Sequence, residues 1–238
     1  MFDPVAEADG ITGALRALSG ATTDPAPIIT TALPFYGVGL DDLKRVARSW
    51  HRDHPGAAAK DVAALGDELW SRGVREEMVV AAMLVGRDAR TRSCVGLRRI
   101  DRWGRLLDNW ETTDNFAGRM VGPWVVDDPQ VRFDTLEILA GRRNPWLRRT
   151  ALVGCVTIGR RPDEALWWPR VREIVLRLSG DREGGIPKAI SWVLREHLRH
   201  TRAEVLEFLD EHAADLPAVA VRETRTKART GTKTGRRR

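Results

Sequence analysis

Residues 185–196 read GIPKAISWVLRE, and this stretch decides the fold class. Its apolar side chains recur at helical spacing, and Lys188, Trp192 and Arg195 follow the i, i+4, i+7 spacing of one helix face. Similar amphipathic patterns recur along most of the chain, with almost no alternating strand pattern. The sequence therefore predicts an all-α protein.

Amphipathic segments follow one another with short connections, which makes neighbouring helices antiparallel. The helix-pair period of about 35–40 residues lies in the range of HEAT or armadillo repeats, which stack into a curved solenoid with one concave face. Two independent globular domains are the alternative architecture. The predicted helical segments cover approximately residues 41–54, 58–72, 75–90, 93–108, 113–127, 129–143, 145–160, 165–179, 186–200 and 202–214.

Composition divides the chain into three parts. Residues 1–32 are rich in Gly, Pro and Thr and predict a helical or irregular segment, and residues 33–217 hold the helical repeats. Residues 218–238 end in Thr, Arg, Gly and Lys, a composition that cannot bury enough apolar surface to order itself. We therefore predict a disordered basic tail over 218–238.

The net charge of +6 is unevenly distributed. Residues 140–200 hold 13 Lys or Arg and 6 Asp or Glu, a net charge of +7, whereas residues 1–139 have a net charge of −4. The basic third of the body predicts binding of a polyanion, separately from the basic tail. Membrane and secreted classes are disfavoured, because no apolar run approaches the roughly 18–20 residues of a membrane span and no leader pattern opens the chain. Cys94 and Cys155 lie in apolar helical patterns, which is typical of buried side chains in a reducing compartment.

Nine tryptophans against one tyrosine form an unusual aromatic balance. Four of them lie in apolar stripes and are predicted to be core: Trp50, Trp70, Trp103 and Trp124. Trp167 and Trp168 stand at a helix start, where we expect one ring to point away from the core. Three others have polar or charged neighbours on their own helical faces and are the binding candidates: Trp110, Trp146 and Trp192.

Two further segments could carry chemistry. Residues 107–115, LDNWETTDN, put Trp110 and Asp114 four positions apart, so a helix would place indole and carboxylate side by side. The structural alternative is a helix-capping carboxylate beside a packed indole. Residues 144–152, NPWLRRTAL, carry Arg148 and Arg149 in the first turns of a helix, where positive charge opposes the helix dipole. We interpret this as a sign that an external anion compensates them.

These three segments together resemble the AlkD-like family of DNA glycosylases, HEAT-like repeat proteins that remove N3- and N7-alkylpurines. The resemblance extends to residues 33–38, LPFYGV, and to Leu69-Trp70 followed by Arg75-Glu76-Glu77. It covers approximately residues 30–215, and its most specific part is 188–196. The chain departs from the family before Asp114, where a doubled Trp followed by Asp is usual and this chain has Asn109-Trp110-Glu111. The departure leaves the preferred lesion open.

The resemblance implies roles for individual residues. Asp114 matches the catalytic carboxylate, Trp110 and Trp192 match the lesion-facing indoles, and Arg149 matches the arginine that contacts the DNA backbone. We expect three neighbouring cations to join Arg149 on a concave DNA-binding face: Arg148, Lys188 and Arg195. The implied substrate is double-stranded DNA with alkylated purines, handled by a monomer in the cytoplasm at the nucleoid, without a membrane, a metal or another cofactor.

The residue types fit this chemistry. A purine alkylated at N3 or N7 is cationic and leaves without protonation, so the enzyme must stabilise an oxocarbenium-like sugar and place a water, which one carboxylate can do. A non-catalytic HEAT-type module that binds DNA or protein is the main alternative, and an enzyme that removes bulky adducts for self-resistance is another. A nuclease is disfavoured because no acidic cluster could hold Mg²⁺. The pairs His51/His54 and His197/His200 have no Cys partner, which disfavours metal binding.

Overall fold

The computed structural model of the protein describes residues 2–20 and 29–235. Of these residues 69% are helical and none is in a β-strand, which confirms the all-α prediction. No helix among them is long and apolar enough to cross a membrane. The chain divides into two compact units, Met1–Asp127 (unit 1) and Asp128–Arg238 (unit 2), each described by itself. The repeat solenoid and its concave face stay predictions.

Unit 1 is built around a fully buried helix. Every residue of α4 is buried, and α4 packs against α2, α3 and α7. Trp70 stacks on Trp103 with ring centroids 4.4 Å apart, and Phe116 lies against both rings. The helices of unit 1 are α1 (Pro4–Ala17), α2 (Leu40–Asp53), α3 (Ala59–Ser71), α4 (Arg75–Val85), α5 (Ala89–Arg92), α6 (Leu97–Gly104), α7 (Trp110–Phe116), a π-helix (Ala117–Val121) and α8 (Gly122–Asp127).

Unit 2 has α11 and α13 at its centre. Helix α11 packs against α10 and α13, and α13 packs in turn against α15. Its elements are α9 (Pro129–Arg132), α10 (Asp134–Ala140), α11 (Pro145–Ile158), a short 3₁₀-helix (Glu164–Leu166), α12 (Trp168–Arg177), α13 (Ile186–His197), α14 (Arg202–Glu211) and α15 (Ala218–Thr230).

The four tryptophans predicted to be core are buried in the structure: Trp50, Trp70, Trp103 and Trp124. The expectation for Trp167 and Trp168 was wrong, because both rings are buried. Trp167 stacks on Phe133 with centroids 5.3 Å apart, and Trp168 meets Phe208 edge to face. Neighbouring residues at a helix start point about 100° apart, so each ring meets a different aromatic partner.

The predicted disorder of 218–238 was also wrong over most of its length. Helix α15 occupies Ala218–Thr230 and packs on α13. Ala220 and Thr224, four positions apart, are both fully buried and let the helix approach closely. Composition alone does not reveal this stripe, because its small side chains lie among many basic residues. In the N-terminal segment 1–32, α1 is helical and residues 21–28 lie outside the described residues, as do 236–238 at the other end.

Candidate functional site

Helix α7 carries both Trp110 and Asp114, as the spacing predicted. Its N-cap is Asn109, whose side-chain oxygen accepts a hydrogen bond of 2.9 Å from the backbone N–H of Thr112. The Trp110 side chain is 40% exposed, and Asp114 is half-buried one turn further on. Asn109 rather than Asp114 therefore caps α7, and Asp114 lies inside the helix. An Asn at this position is well suited to begin a helix.

A π-turn follows α7 directly. The backbone N–H of Gly122 bonds to the carbonyl of Ala117, five residues earlier. Pro123 has no N–H for the carbonyl of Arg119, which removes an ordinary helical bond at this point. That carbonyl instead lies against Gly86, where a Cβ atom would come within 2.0 Å of its oxygen. Single π-turns are frequent at functional sites. The Gly122-Pro123 dipeptide was the sequence signal for it, and the sequence prediction of one continuous helix over 113–127 overlooked it.

Glu111 lies between Trp110 and Asp114 and is tied to a buried arginine. The Arg75 side chain is 3% exposed and donates from Nε and Nη2 to the two carboxylate oxygens of Glu111, both at 2.6 Å. Its Nη1 donates to Glu76 at 2.9 Å. Burial lowers the pKa of Arg75, but the two carboxylates outweigh it and hold the pKa above its usual value. Glu111 therefore fixes α7 against the first turn of α4.

The 33–38 segment is anchored on the same turn of α4. The backbone N–H groups of Gly37 and Val38 donate to Oε1 of Glu76 at 2.9 and 3.1 Å, and the Tyr36 hydroxyl donates to Glu77 at 2.6 Å. Arg75 also reaches the Val38 carbonyl through Nη1. Three of the segments that carry the family resemblance, 33–38, 75–77 and 109–114, thus meet in one buried polar network in unit 1.

The other two segments meet in unit 2 through Arg149. Arg149 is buried, and its Nη1 donates to the carbonyl of Gly185 at 2.8 Å and lies 3.4 Å from that of Gly184. Gly185 has φ +67°, and a Cβ atom there would lie 2.9 Å from the same Nη1. The positive φ favours glycine at this position, and the absence of a side chain leaves room for the Arg149 guanidinium. Arg149 holds the start of α13, the helix that carries Trp192.

Arg148 is compensated from within the protein, contrary to the sequence interpretation. Its Nε donates to Asp181 at 2.6 Å and its Nη2 to Glu183 at 2.8 Å. Nη1 donates to the carbonyls of Arg142 and Arg143. These carboxylates raise the pKa of Arg148 against the lowering effect of burial. The anion that the helix dipole argument required is Asp181 with Glu183, so the arginine pair no longer implies an external anion.

The three side chains of the predicted stripe on α13 differ in exposure. Lys188 is exposed, Trp192 is half-buried, and Arg195 is half-buried under α15. Arg195 Nε donates to Ser191 Oγ at 3.1 Å and lies 3.8 Å from Glu223 of α15. Burial lowers the pKa of Arg195, and Glu223 partly offsets this. Sequence reasoning missed α15 as a partner of this helix. Trp146, the third binding candidate, is half-buried at the start of α11.

The predicted site residues therefore form two groups. Trp110 and Asp114 belong to α7 in unit 1, whereas Trp192 and the predicted DNA contacts belong to unit 2: Arg148, Arg149, Lys188 and Arg195. That all of them line one face stays a prediction. Within 2–20 and 29–235, no group of three or more His, Cys, Asp or Glu side chains is placed to hold a metal ion.

Comparison with known proteins gives one family. The family of DNA alkylation repair enzymes, which contains the AlkD-like proteins, matches residues 24–227. No curated protein matches the chain. The matched region covers unit 1 except for its first 23 residues, which include α1, and unit 2 as far as residue 227. It includes the segments that meet around Arg75 and Arg149. The chain belongs to the DNA alkylation repair enzyme family.

Proposed function

We propose that the protein is a DNA glycosylase that hydrolyses the N-glycosidic bond of purines alkylated at N3 or N7 in duplex DNA. The observation that carries the proposal is that the two carboxylates of α7 have different surroundings. Glu111 is bound bidentately by Arg75 and is a structural acid, whereas Asp114 shares the helix with a Trp110 side chain that is 40% exposed. Asp114 is therefore the carboxylate that we assign to the reaction.

A single carboxylate suffices for this reaction. An N3- or N7-alkylated purine is cationic and departs as a neutral base, so no general acid has to protonate it. As the glycosidic bond lengthens, positive charge develops on the sugar, and Asp114 would stabilise that charge. The same carboxylate would accept a proton from the water that attacks C1′, because it is then adjacent to both. No metal or organic cofactor enters this scheme.

The faces of the indole rings would provide selectivity for cationic groups. A cation over an indole face is stabilised by roughly 0.5–2 kcal/mol, depending on desolvation. Trp110, exposed beside Asp114, would attract the cationic base or the cationic sugar. We assign the same role to Trp192 on α13, whose start is fixed by Arg149.

Unit 2 would hold the duplex. Residues 140–200 have a net charge of +7, and Lys188 is the most exposed of the predicted contacts. Arg149 and Arg195 would add to this surface beside Trp192, whereas Arg148 would contribute mainly by ordering the 181–183 turn. From the resemblance to HEAT-like glycosylases we further propose a repeat array with a concave DNA-binding face, in a monomer that works at the nucleoid in the cytoplasm.

Release of free base distinguishes a glycosylase from a module that only binds DNA. DNA treated with a methylating agent is incubated with the pure protein, and released bases are separated from polymer and identified by mass. A glycosylase releases free N3- and N7-methylpurines, whereas a HEAT-type binding module only retards the DNA in a gel. Retardation without released base would reject the proposal in favour of the binding module.

A further inference from the structure

Unit 1 contains a basic cavity away from the Arg75 network. Its volume is about 590 Å³, which lies in the range of ligand-binding cavities. Helix α2, the end of α4 and the π-turn after α7 form its walls, and Ala47, Met83 and Pro123 give it an apolar side. Five basic side chains and one histidine surround it: Lys44, Arg48, His51, Arg87, Arg92 and Arg119.

Three of these cations form no ion pair within the part of the chain that the structure describes. Lys44 pairs with Asp41, and Arg92 binds Asp127. Within residues 2–20 and 29–235, no carboxylate lies within 4 Å of the other three guanidinium groups, those of Arg48, Arg87 and Arg119. They stand in a region, residues 1–139, whose net charge is −4. Uncompensated cations that converge on a cavity in a net-acidic region point to an anionic ligand.

Two groups inside the cavity are incompletely satisfied. Arg119 is half-buried and donates from Nε to Asn115 at 2.7 Å, and burial lowers its pKa. His51 Nε2 is shielded from solvent and has no hydrogen-bond partner in the described part of the chain. Burial and the charge of Arg87 lower the pKa of His51 to about 4. Buried polar groups are ordinarily paired, so an anionic ligand would accept hydrogen bonds from the remaining N–H groups of Arg119.

Arginine clusters favour phosphate in particular. The planar guanidinium group matches two oxygens of a phosphate at once, which a carboxylate-free cluster of three can exploit. Arg119 follows Asp114 by five residues along the chain, so the cavity includes a residue close in sequence to the carboxylate assigned to the reaction.

We propose that this cavity is a second DNA-contacting site, which binds a backbone phosphate of the duplex through Arg48, Arg87 and Arg119. The assignment to DNA rests on the proposed function, because only there does Asp114 face a lesion. The open rim, where Arg48 and Arg87 are exposed, admits a phosphodiester that remains part of a polymer. A free phosphate or a mononucleotide offers the same chemistry and is the competing source.

A charge-matched pair of variants tests the site by binding alone. Arg48→Gln with Arg87→Gln removes two cavity cations, and Arg98→Gln with Arg105→Gln removes two exposed arginines of unit 1 outside it. Affinity for an undamaged duplex is measured against salt concentration. The slope of log K against log salt should flatten by about 1.8 in the cavity variant, since each lost contact removes about 0.9. The control pair should keep the wild-type slope. Equal slopes for the cavity variant and wild type would overturn the proposal.

NMR identifies the source of the phosphate. Signals of the His51 ring and of the amides of residues 86–87 and 118–119 are followed in separate titrations of the full chain with duplex, inorganic phosphate and a mononucleotide. Saturable shifts with the duplex, at its dissociation constant, support the proposal. Shifts with inorganic phosphate or mononucleotide only would overturn the DNA assignment, and no shifts at all would overturn the site. Because the duplex is undamaged, a failure of excision leaves these outcomes unchanged and counts against the proposed function only.

Discussion

The guanidinium of Arg75 and the carboxylate of Glu111 are joined by two hydrogen bonds of 2.6 Å each, and this pair fixes α7 to α4. Glu111→Gln keeps the shape but leaves the buried Arg75 with Glu76 as its remaining carboxylate. Removing one partner of a buried ion pair costs about 3–5 kcal/mol, and we expect the lower end because Glu76 remains. Denaturant unfolding should show this loss, and excision should weaken because α7 shifts.

The control for this variant is Asp53→Asn. Asp53 pairs with Arg52 at the surface, where an ion pair contributes about 0–1 kcal/mol. If Glu111→Gln cost no more than Asp53→Asn, the Arg75 pair would not be what positions α7.

Arg148→Ala should destabilise unit 2, because it strips Asp181 and Glu183 of their cation. We expect a loss of about 1–3 kcal/mol, which lowers the melting temperature by several degrees. The comparison is Arg143→Ala, an exposed arginine next to the same turn. A melting temperature no lower for Arg148→Ala than for Arg143→Ala would contradict the internal compensation.

Deleting residues 222–238 should lower the melting temperature by roughly 5 °C or more. The deletion removes the buried Thr224, the 2.5 Å hydrogen bond between Ser191 and Glu223, and the bond from Lys227 to the Arg195 carbonyl. Because these contacts support α13, excision should fall as well. A disordered tail over 218–238, which composition predicts, would instead leave excision intact.

A shorter deletion, of residues 231–238, separates the effect of α15 packing from the effect of the positive charge at the end of the chain. It removes Lys233 and the three terminal arginines but retains α15. We expect near-normal melting and excision with weaker binding of undamaged DNA. Full stability after the longer deletion would mean that α15 does not pack on α13 in solution.

His51 should make the folded state less stable as the pH falls from 6.5 to 4. Its pKa is lowered to about 4 in the folded protein, chiefly by burial, against 6.5 as the ordinary value. In this window the unfolded chain binds a proton that the folded chain does not, so stability declines as the pH falls. Urea unfolding of His51→Gln over this range should show a shallower pH dependence than wild type. His200→Gln, at an exposed position, is the control. Parallel curves for His51→Gln and wild type would contradict the shifted pKa.

Periodicity and family motifs predicted the helices and the position of the candidate residues on them, because both depend on local spacing. Trp110 and Asp114 share α7, and Lys188, Trp192 and Arg195 share α13, as the i, i+4 pattern required. Contacts between distant segments were beyond such reasoning. Nothing in the local sequence indicates that Glu111 meets Arg75 or that Arg148 meets Asp181, 36 and 33 positions away.

The prediction of disorder from composition failed where a few residues determine the packing of a helix. Residues 218–238 are basic and polar overall, yet α15 packs on α13 and Ala220 and Thr224 are fully buried. The π-turn was overlooked for a different reason. Helical periodicity is averaged over many residues, so it does not detect the single extra residue in the hydrogen-bond pattern at Gly122-Pro123. Its consequence is that Arg119 contributes to the basic cavity.

The single-turnover excision rate of Asp114→Asn tests the central claim most directly. The variant keeps shape and hydrogen-bonding capacity but removes the charge that would stabilise the sugar and accept a proton from water. With excess protein over DNA carrying N7-methylguanine, base release should fall by about 10²–10⁴-fold relative to wild type while DNA affinity and the circular dichroism spectrum are retained. Asp53→Asn should release base at the wild-type rate. A wild-type rate in Asp114→Asn would contradict the assignment of Asp114 as the catalytic carboxylate.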